Sequence, residues 1–303
     1  MATPTWVHVP ERGATSAMRS LLFTLNLLGY RVARALLLPI VAYFVLSGAK
    51  SRRASREYLA RLHRFDNSTP KPTWFQVYLH HLEFAETLLE RVLLWQGKTD
   101  QFQFTGTGKE LLERIDDTGC LLLGAHFGSF DALRILAKDL PCRVNVVMYR
   151  AHALRINRFL EELNPDANLR VVELNPGDME GLLTLKKCIE RGEHVAILAD
   201  RLSPASRQRM AKVKFLGADA AFPESPWLLA NIFNCPVILT TAVRTGARAY
   251  NISVELFAEQ ISRQPEILHG QIQEFARRLE TLCCRHPKQW FNFYDFWSRD
   301  RDV

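Results

Sequence analysis

The chain is poor in cysteine, with six in 303 residues (Cys120, Cys142, Cys188, Cys235, Cys283 and Cys284), none of them in a C-x-x-C pair. That excludes a disulfide scaffold and a zinc module, and it fits reduced, buried thiols in a cytosolic setting. Cys283-Cys284 with His286 has the wrong spacing for a zinc site and reads as a polar helix end. There is no repeat and no low-complexity stretch. Signatures of nucleotide and serine chemistry are missing as well. TGTGKE (Thr105–Glu110) lacks the first loop glycine and a Ser or Thr after its lysine, so it is not a P-loop. No G-x-S-x-G occurs, and Gly128 and Ser129 are adjacent rather than spaced, which argues against a nucleophilic serine elbow. The composition, 48% hydrophobic and 23% charged, excludes disorder, collagen and coiled coil. A chain of this length holds one large domain or two modest ones and buries a substantial core without staples.

Acidic residues are scarce at one end. Residues 1–64 hold ten Lys or Arg against only Glu11 and Glu57, a local charge of +8 in a chain whose total is +7. A nucleic-acid-binding fold spreads its charge over one face of the folded domain, so nucleic acid is not an expected partner. Between the arginines this end is apolar: Ser20–Tyr30 and Ala35–Ala49 carry no charge, and Arg31 and Arg34 fall between them. As a helix the second run reaches about 22 Å, short of the roughly 30 Å hydrocarbon core, and Pro39 predicts a kink inside it. No small-x-small site marks a cleaved signal peptide. Lys50–Arg64 follows, with six basic residues and one acid, which suits an anionic cytoplasmic leaflet. Residues 20–49 read as a monotopic or re-entrant anchor; a single tilted span and a buried core helix are the alternatives. The positive-inside tendency then puts the rest of the chain in the cytoplasm, at the inner membrane. The expected organisation is a membrane-anchoring segment over 1–66 and a folded domain over 67–303.

Asp66–Thr73 is rich in turn formers and reads as a linker, and apolar residues from Phe75 to Val92 then fall at helical spacing. His80 and His81, adjacent on that helix, read as surface or interface residues rather than metal ligands. Beyond Trp95 the apolar runs are short: Cys120–His126, Val144–Tyr149, Leu169–Leu174, His194–Asp200 and Pro236–Val243 read as buried strands. Helical patterns lie between them near 130–138, 152–162, 178–191 and 224–233, and Ala249–Phe257 alternates like an added antiparallel strand. The expected fold class is α/β, a mainly parallel mixed sheet covered by helices and preceded by an N-terminal helical anchor. Ligands of such sheets bind beyond the carboxyl ends of the strands, where His126, Tyr149-Arg150 and Asp200-Arg201 fall.

The chemistry concentrates in LLLGAHFGSFDALR. His126 and Asp131 meet only if the histidine sits in a strand-to-helix turn and the aspartate in the first helical turn. Gly124 and Gly128 would permit that turn and a close substrate approach. A carboxylate on one imidazole nitrogen fixes the tautomer and leaves the other nitrogen as a general base, so the acceptor hydroxyl itself is the nucleophile. The plain alternatives are a structural histidine and an aspartate that merely favours a helix start. Backbone N–H groups after His126, with Arg150, are the oxyanion candidates. Arg201 would hold an acceptor phosphate or the donor's phosphopantetheine, against an ordinary surface ion pair for either arginine.

GAHFGSFD, then VVMYRAHALRINRFLEEL, then ILADR and VKFLGADAAFPESPWLLANIFNCPVIL, in that order and spacing, resemble the lysophospholipid acyltransferase superfamily. Within it the chain is similar to the branch of the bacterial late lipid A and mannoside acyltransferases, and PKQWFNFYDFW (Pro287–Trp297) resembles the aryl-polyene-pathway type. The resemblance implies acyl transfer from an acyl carrier protein or CoA thioester to a hydroxyl of a lipid or glycolipid at the inner leaflet. No metal or dissociable cofactor is implied. It also implies His126 as base with Asp131 as partner, Arg150 and Asp200 as substrate-side residues, and Phe215 and Gly217 of KFLG as an acceptor-side loop. The chain departs from the pattern in having Asp131 where many lipid A enzymes have Glu, Asp200-Arg201 for Asp-Gln, and Ser225-Pro226 after Phe222-Pro223-Glu224. The competing readings are a metal-dependent lipid hydrolase using His126, Asp131 and Asp200, and a non-catalytic membrane lipid-binding protein.

Overall fold

The computed structural model describes residues 14–113, 119–133, 143–148, 169–173, 178–202 and 209–297. Three helices come first: α1 (Ala14–Ser47), α2 (Ala49–Phe65) and α3 (Trp74–Trp95). The break in α1 falls at Gly29 (φ 79°, ψ 171°), a conformation open to glycine, whereas Pro39 lies inside the following helical stretch. The kink expected at Pro39 is therefore ten residues early, where the backbone is cheapest to bend. Beyond it, Ala33, Leu37, Val41 and Val45 recur every fourth residue and are buried against α3, while the apolar residues on the other sides of the helix stay exposed. α2 repeats the pattern with Ser55, Tyr58, Leu59 and Leu62 buried. These helices share one apolar core with the rest of the chain.

The sheet is built as its apolar runs foretell. β1 (Gln103–Thr107), β2 (Leu121–Gly124), β3 (Val144–Met148), β4 (Leu169–Glu173), β5 (His194–Leu198), β8 (Val237–Gly246) and β9 (Ala249–Ala258) form seven strands in the order β1-β9-β8-β2-β5-β3-β4. Every neighbouring pair is parallel except β8–β9, the antiparallel addition expected over Ala249–Phe257. The wholly buried β2 is the middle strand, between β5 and β8. α4 (Lys109–Glu113) follows β1, α5 (Met179–Glu190) precedes β5, and α6 (Ser225–Phe233) precedes β8. At the expected 130–138 helix the described residues form one 3₁₀ turn, Phe130–Leu133; the pattern near 152–162 lies outside the described residues.

Two strands were not expected. β6 (Met210–Phe215) and β7 (Ala218–Pro223) make a separate hairpin whose two-residue turn, Leu216-Gly217, takes positive φ at both positions. The final helix, α7 (Pro265–Arg285), completes the open edge of β6: Gln273 Oε1 accepts from the Lys214 amide at 2.8 Å and its Nε2 donates to the Lys214 carbonyl at 2.9 Å.

A buried ion network clamps the N-terminal helices to the sheet. Arg244 of β8 pairs with Glu86 at 2.8 Å, Glu90 at 2.9 Å and Glu83 at 3.3 Å, all from α3. Glu90 also accepts from the Tyr250 hydroxyl at 2.6 Å and the Tyr30 hydroxyl at 2.5 Å, and Arg34 of α1 reaches Glu86 at 2.6 Å. Removing one member of such a network strands the others as buried charge. Arg244→Ala is therefore expected to destabilise the protein by about 3–5 kcal/mol, read as a lowered thermal unfolding midpoint; an unchanged midpoint would show the network to be dispensable.

Candidate active site

The central strand delivers the histidine. Gly124 and Leu198 are the last register partners of β2 and β5, so residues 126 and 200 leave the sheet side by side, two positions past it. Asp200 is fully buried and surrounded by donors. Its Oδ1 contacts His126 Nδ1 at 2.8 Å, and the His126 backbone amide reaches both carboxylate oxygens at 3.0 Å. Its Oδ2 also accepts from Trp290 Nε1 at 3.0 Å.

Burial pushes the Asp200 carboxyl upward, but His126, Arg201 and the Trp290 N–H outweigh it and hold the pKa at about 2. The carboxylate is ionised at neutral pH and can only accept, so Nδ1 of His126 carries the proton and Nε2 presents its lone pair. Burial and the charge of Arg201 lower the His126 pKa against the opposing pull of Asp200, and Arg91 adds to the lowering. The ring is thus neutral at pH 7 and 31% exposed, an accessible base.

Asp131, the partner expected from the H-x-x-x-x-D spacing, is placed elsewhere. It accepts from Trp95 Nε1 at 2.7 Å and pairs with Arg91 at 2.5 Å, both on the last turns of α3. Among the described residues no hydrogen bond joins it to His126. A 3₁₀ turn at 130–133 carries the side chain toward α3, where a guanidinium and an indole satisfy it.

Gly128 lies in the turn after β2. Its φ is +62°, and a Cβ there would lie 2.1 Å from the Ala242 carbonyl oxygen. Its amide donates to Gln289 at 2.8 Å and that of Ser129 to Ala242 at 2.9 Å, so neither is open to an oxyanion. Gly124 ends β2, where an added Cβ would meet Leu198 at 3.0 Å. Phe215 does not form an acceptor-side loop: it is buried in β6, its ring 5.1 Å from Trp290 and 5.5 Å from Phe222. Gly217 sits in the exposed hairpin turn. Both follow from the unrecognised hairpin, whose alternation puts Ala211, Val213 and Phe215 inward. Arg150 lies outside the described residues. Arg201 donates to the Phe291 carbonyl at 2.5 Å and lies 5.6 Å from the Tyr294 ring, while its buried Nε has no acceptor among the described residues.

The site's third wall is the C-terminal segment. Phe291 N donates to the His126 carbonyl at 2.9 Å, and Phe127 bridges Trp290 in antiparallel fashion. Trp290, Phe296 and Trp297 are buried, so these aromatic residues of the tail pack in the core. His80, expected at the surface or in an interface, is wholly buried behind it. Burial lowers its pKa to about 3, so it is neutral; its Nε2 donates to the Trp290 carbonyl at 3.0 Å and its Nδ1 accepts from Ser55 at 2.8 Å. Sequence reasoning missed Trp290, Trp95 and Arg91; the indoles sit in apolar runs that read as packing. Among the described residues no group of three His, Cys, Asp or Glu side chains converges as a metal ligand set.

The geometry separates the two carboxylates by experiment. Asp200→Asn, which no longer fixes the Nδ1 proton, is expected to lower turnover by roughly 10²–10⁴-fold. Asp131→Asn should mainly cost stability, about 1–3 kcal/mol, with a smaller loss of turnover. The reverse ranking, measured on variants with native circular dichroism, would return the partner role to Asp131.

Comparison with known proteins bears on what such a site acts upon. The model of the bacterial lipid A biosynthesis acyltransferase family matches residues 4–299, nearly the whole chain. The crystal structure of the 1-acyl-sn-glycerophosphate (LPA) acyltransferase PlsC from Thermotoga maritima is similar over 83% of this chain and 98% of that one, at 12% identity and a TM-score of 0.38. No curated protein sequence matches. By the family match, the chain belongs to the bacterial lipid A biosynthesis acyltransferases and is an enzyme that transfers an acyl group to a lipid.

Proposed function

We propose that the enzyme moves a fatty acyl group from an acyl carrier protein thioester to a hydroxyl of a lipid or glycolipid, with His126 and Asp200 as the base and its partner and no acyl-enzyme. The observation that supports this most is the 2.8 Å contact between His126 Nδ1 and Asp200, ionised at neutral pH, which leaves Nε2 without a partner among the described residues. The acceptor hydroxyl, held about 3–3.5 Å from the thioester carbonyl, gives its proton to Nε2 as its oxygen attacks. The C–S bond of the tetrahedral intermediate then breaks, and the same proton passes to the departing thiolate. Asp200 stabilises the imidazolium between the two transfers. Arg201, whose buried Nε–H lacks an acceptor among the described residues, holds the developing oxyanion or a substrate phosphate. An acidic carrier protein would meet the ten basic residues of positions 1–64.

The membrane reading joins this one. Leu27–Ser47 is apolar enough to cross a bilayer by length and composition, but only 22% of that window is buried. One stripe of α1 packs on α3 and Tyr30 and Arg34 bond to α3 carboxylates, while Leu36, Ile40, Tyr43 and Phe44 stay exposed. A helix held along the protein body with its outer side apolar lies in the interface plane, at the cytoplasmic leaflet of the inner membrane.

Purified protein given acyl carrier proteins of several chain lengths, or the matching CoA esters, with total bacterial membrane lipid should yield an acylated lipid detectable by mass spectrometry. Absence of any acylated lipid with every donor would reject the assignment. The rate should be flat above about pH 6.5 and fall below it, because the lowered His126 pKa keeps the base free until acid protonates it. An acid-side limb persisting unchanged in Asp200→Asn would assign that titration to another group.

A further inference from the structure

α2 has two working faces. Its inner side carries Ser55 and Tyr58, the first bonded to His80 and the second packed 5.0 Å from Trp290. The outer side presents Ala49, Arg52, Arg53 and Arg56 at i, i+3, i+4 and i+7, one stripe of a helix. With Trp74 and Val77 of α3 they line a hollow of about 300 Å³. Ala49 and Trp74 are the first residues of α2 and α3, and neither helix has an acid in its first turn, so two positive helix ends border the hollow. Arg52 is already placed: it donates to the Val45 and Leu46 carbonyls at 2.6 and 2.8 Å, and its guanidinium lies 5.2 Å from the Trp74 ring. Among the described residues no carboxylate pairs with Arg52, Arg53 or Arg56. Beside the hollow, Phe44, Leu46, Trp74 and Phe75 are exposed.

We propose that this hollow binds the phosphate of an anionic phospholipid, whose acyl chains run along the exposed apolar residues of α1 and the start of α3. Arg53 and Arg56, exposed beside an Arg52 that is turned onto the last carbonyls of α1, favour an anion, and a volume of about 300 Å³ admits a headgroup. The exposed aromatic and aliphatic rim has no use for a free phosphate but matches the first carbons of lipid tails. The site deepens the membrane reading above and rests on it: general attraction to a charged leaflet needs only charge, whereas this arrangement selects a headgroup and fixes how α2 meets the bilayer.

The experiment uses full-length protein and vesicles of phosphatidylcholine alone or with phosphatidylglycerol added, scored by flotation. Wild type should bind the mixed vesicles far better. R53Q/R56Q, which touches neither the base nor Arg52, should lose roughly a hundredfold in affinity for them, the scale of two charged hydrogen bonds. K50Q/R64Q removes the same charge from the same helix outside the hollow and should lose much less. Circular dichroism melting confirms that both variants fold. Equal losses in the two variants, or equal binding of wild type to both vesicle types, would overturn the site while leaving membrane association intact. Wild type that floats with neither vesicle would remove the membrane reading itself. Release from mixed vesicles by inorganic phosphate at constant ionic strength would make the occupant a free anion. Loss of affinity for an acyl carrier protein in R53Q/R56Q, with lipid binding kept, would make it a protein docking point; either result overturns the lipid assignment.

Discussion

A fully buried, ionised carboxylate governs this site. Asp200 has no solvent to stabilise its charge, so the folded state must supply donors from three directions: the His126 ring, the His126 amide and the Trp290 indole. The donors come from two pieces of chain, the turn after β2 and the C-terminal segment, and each piece is thereby located. The imidazole takes its tautomer from the contact, the turn after β2 takes its position, and the C-terminal segment is drawn against the sheet. A buried charge with all its partners contributes little net stability, but any one partner lost exposes its desolvation cost. Such an arrangement enforces geometry more than it adds stability.

The support extends outward through neutral groups. Trp290 is held by edge-to-face contacts with Tyr58, Phe215, Phe296 and Trp297, and its carbonyl by the buried, uncharged His80. His80 reaches Ser55 on the inner side of α2, the helix whose outer side carries the arginine stripe. One helix thus has its polar interior contact directed at the base's partner and its cationic surface directed away from the protein. The two sides are joined by nothing softer than a helix and a hydrogen-bonded imidazole.

Much of this was legible in the residues. Strands apolar throughout foretold a parallel sheet because only strands covered on both faces are written that way, and β2, β5 and β8 are buried as expected. The histidine was found because glycines flank it at a strand end. The carboxylate that touches its ring is not the one the spacing suggests, for a physical reason. Spacing along the chain measures reach within one element, whereas the carboxylate in contact lies 74 residues away, just past the end of a neighbouring strand. Register between parallel strands decides that contact, and register is invisible without knowing which strands pair. The hairpin was missed because its alternation is short and its turn, Leu216-Gly217, lacks the Asn or Asp that usually announces it.

The presence of Asp131 five residues after the base still needs a reason, and its contacts supply one. Held by Arg91 and Trp95, it pins the first turn after His126 to the end of α3. On the other side, Gly128 and Ser129 are pinned to Gln289 and Ala242. The loop that carries His126 is therefore fixed on both flanks, which suits the role proposed for it, because a base displaced by about 1 Å can cost on the order of a hundredfold in rate. The two carboxylates hold different parts of this loop: Asp200 binds the His126 ring and amide, and Asp131 ties the 3₁₀ turn at 130–133 to α3. Arg91, tied to Asp131, also adds its charge to the influences that keep His126 neutral, so the positioning contact and the electrostatics of the base act in the same direction.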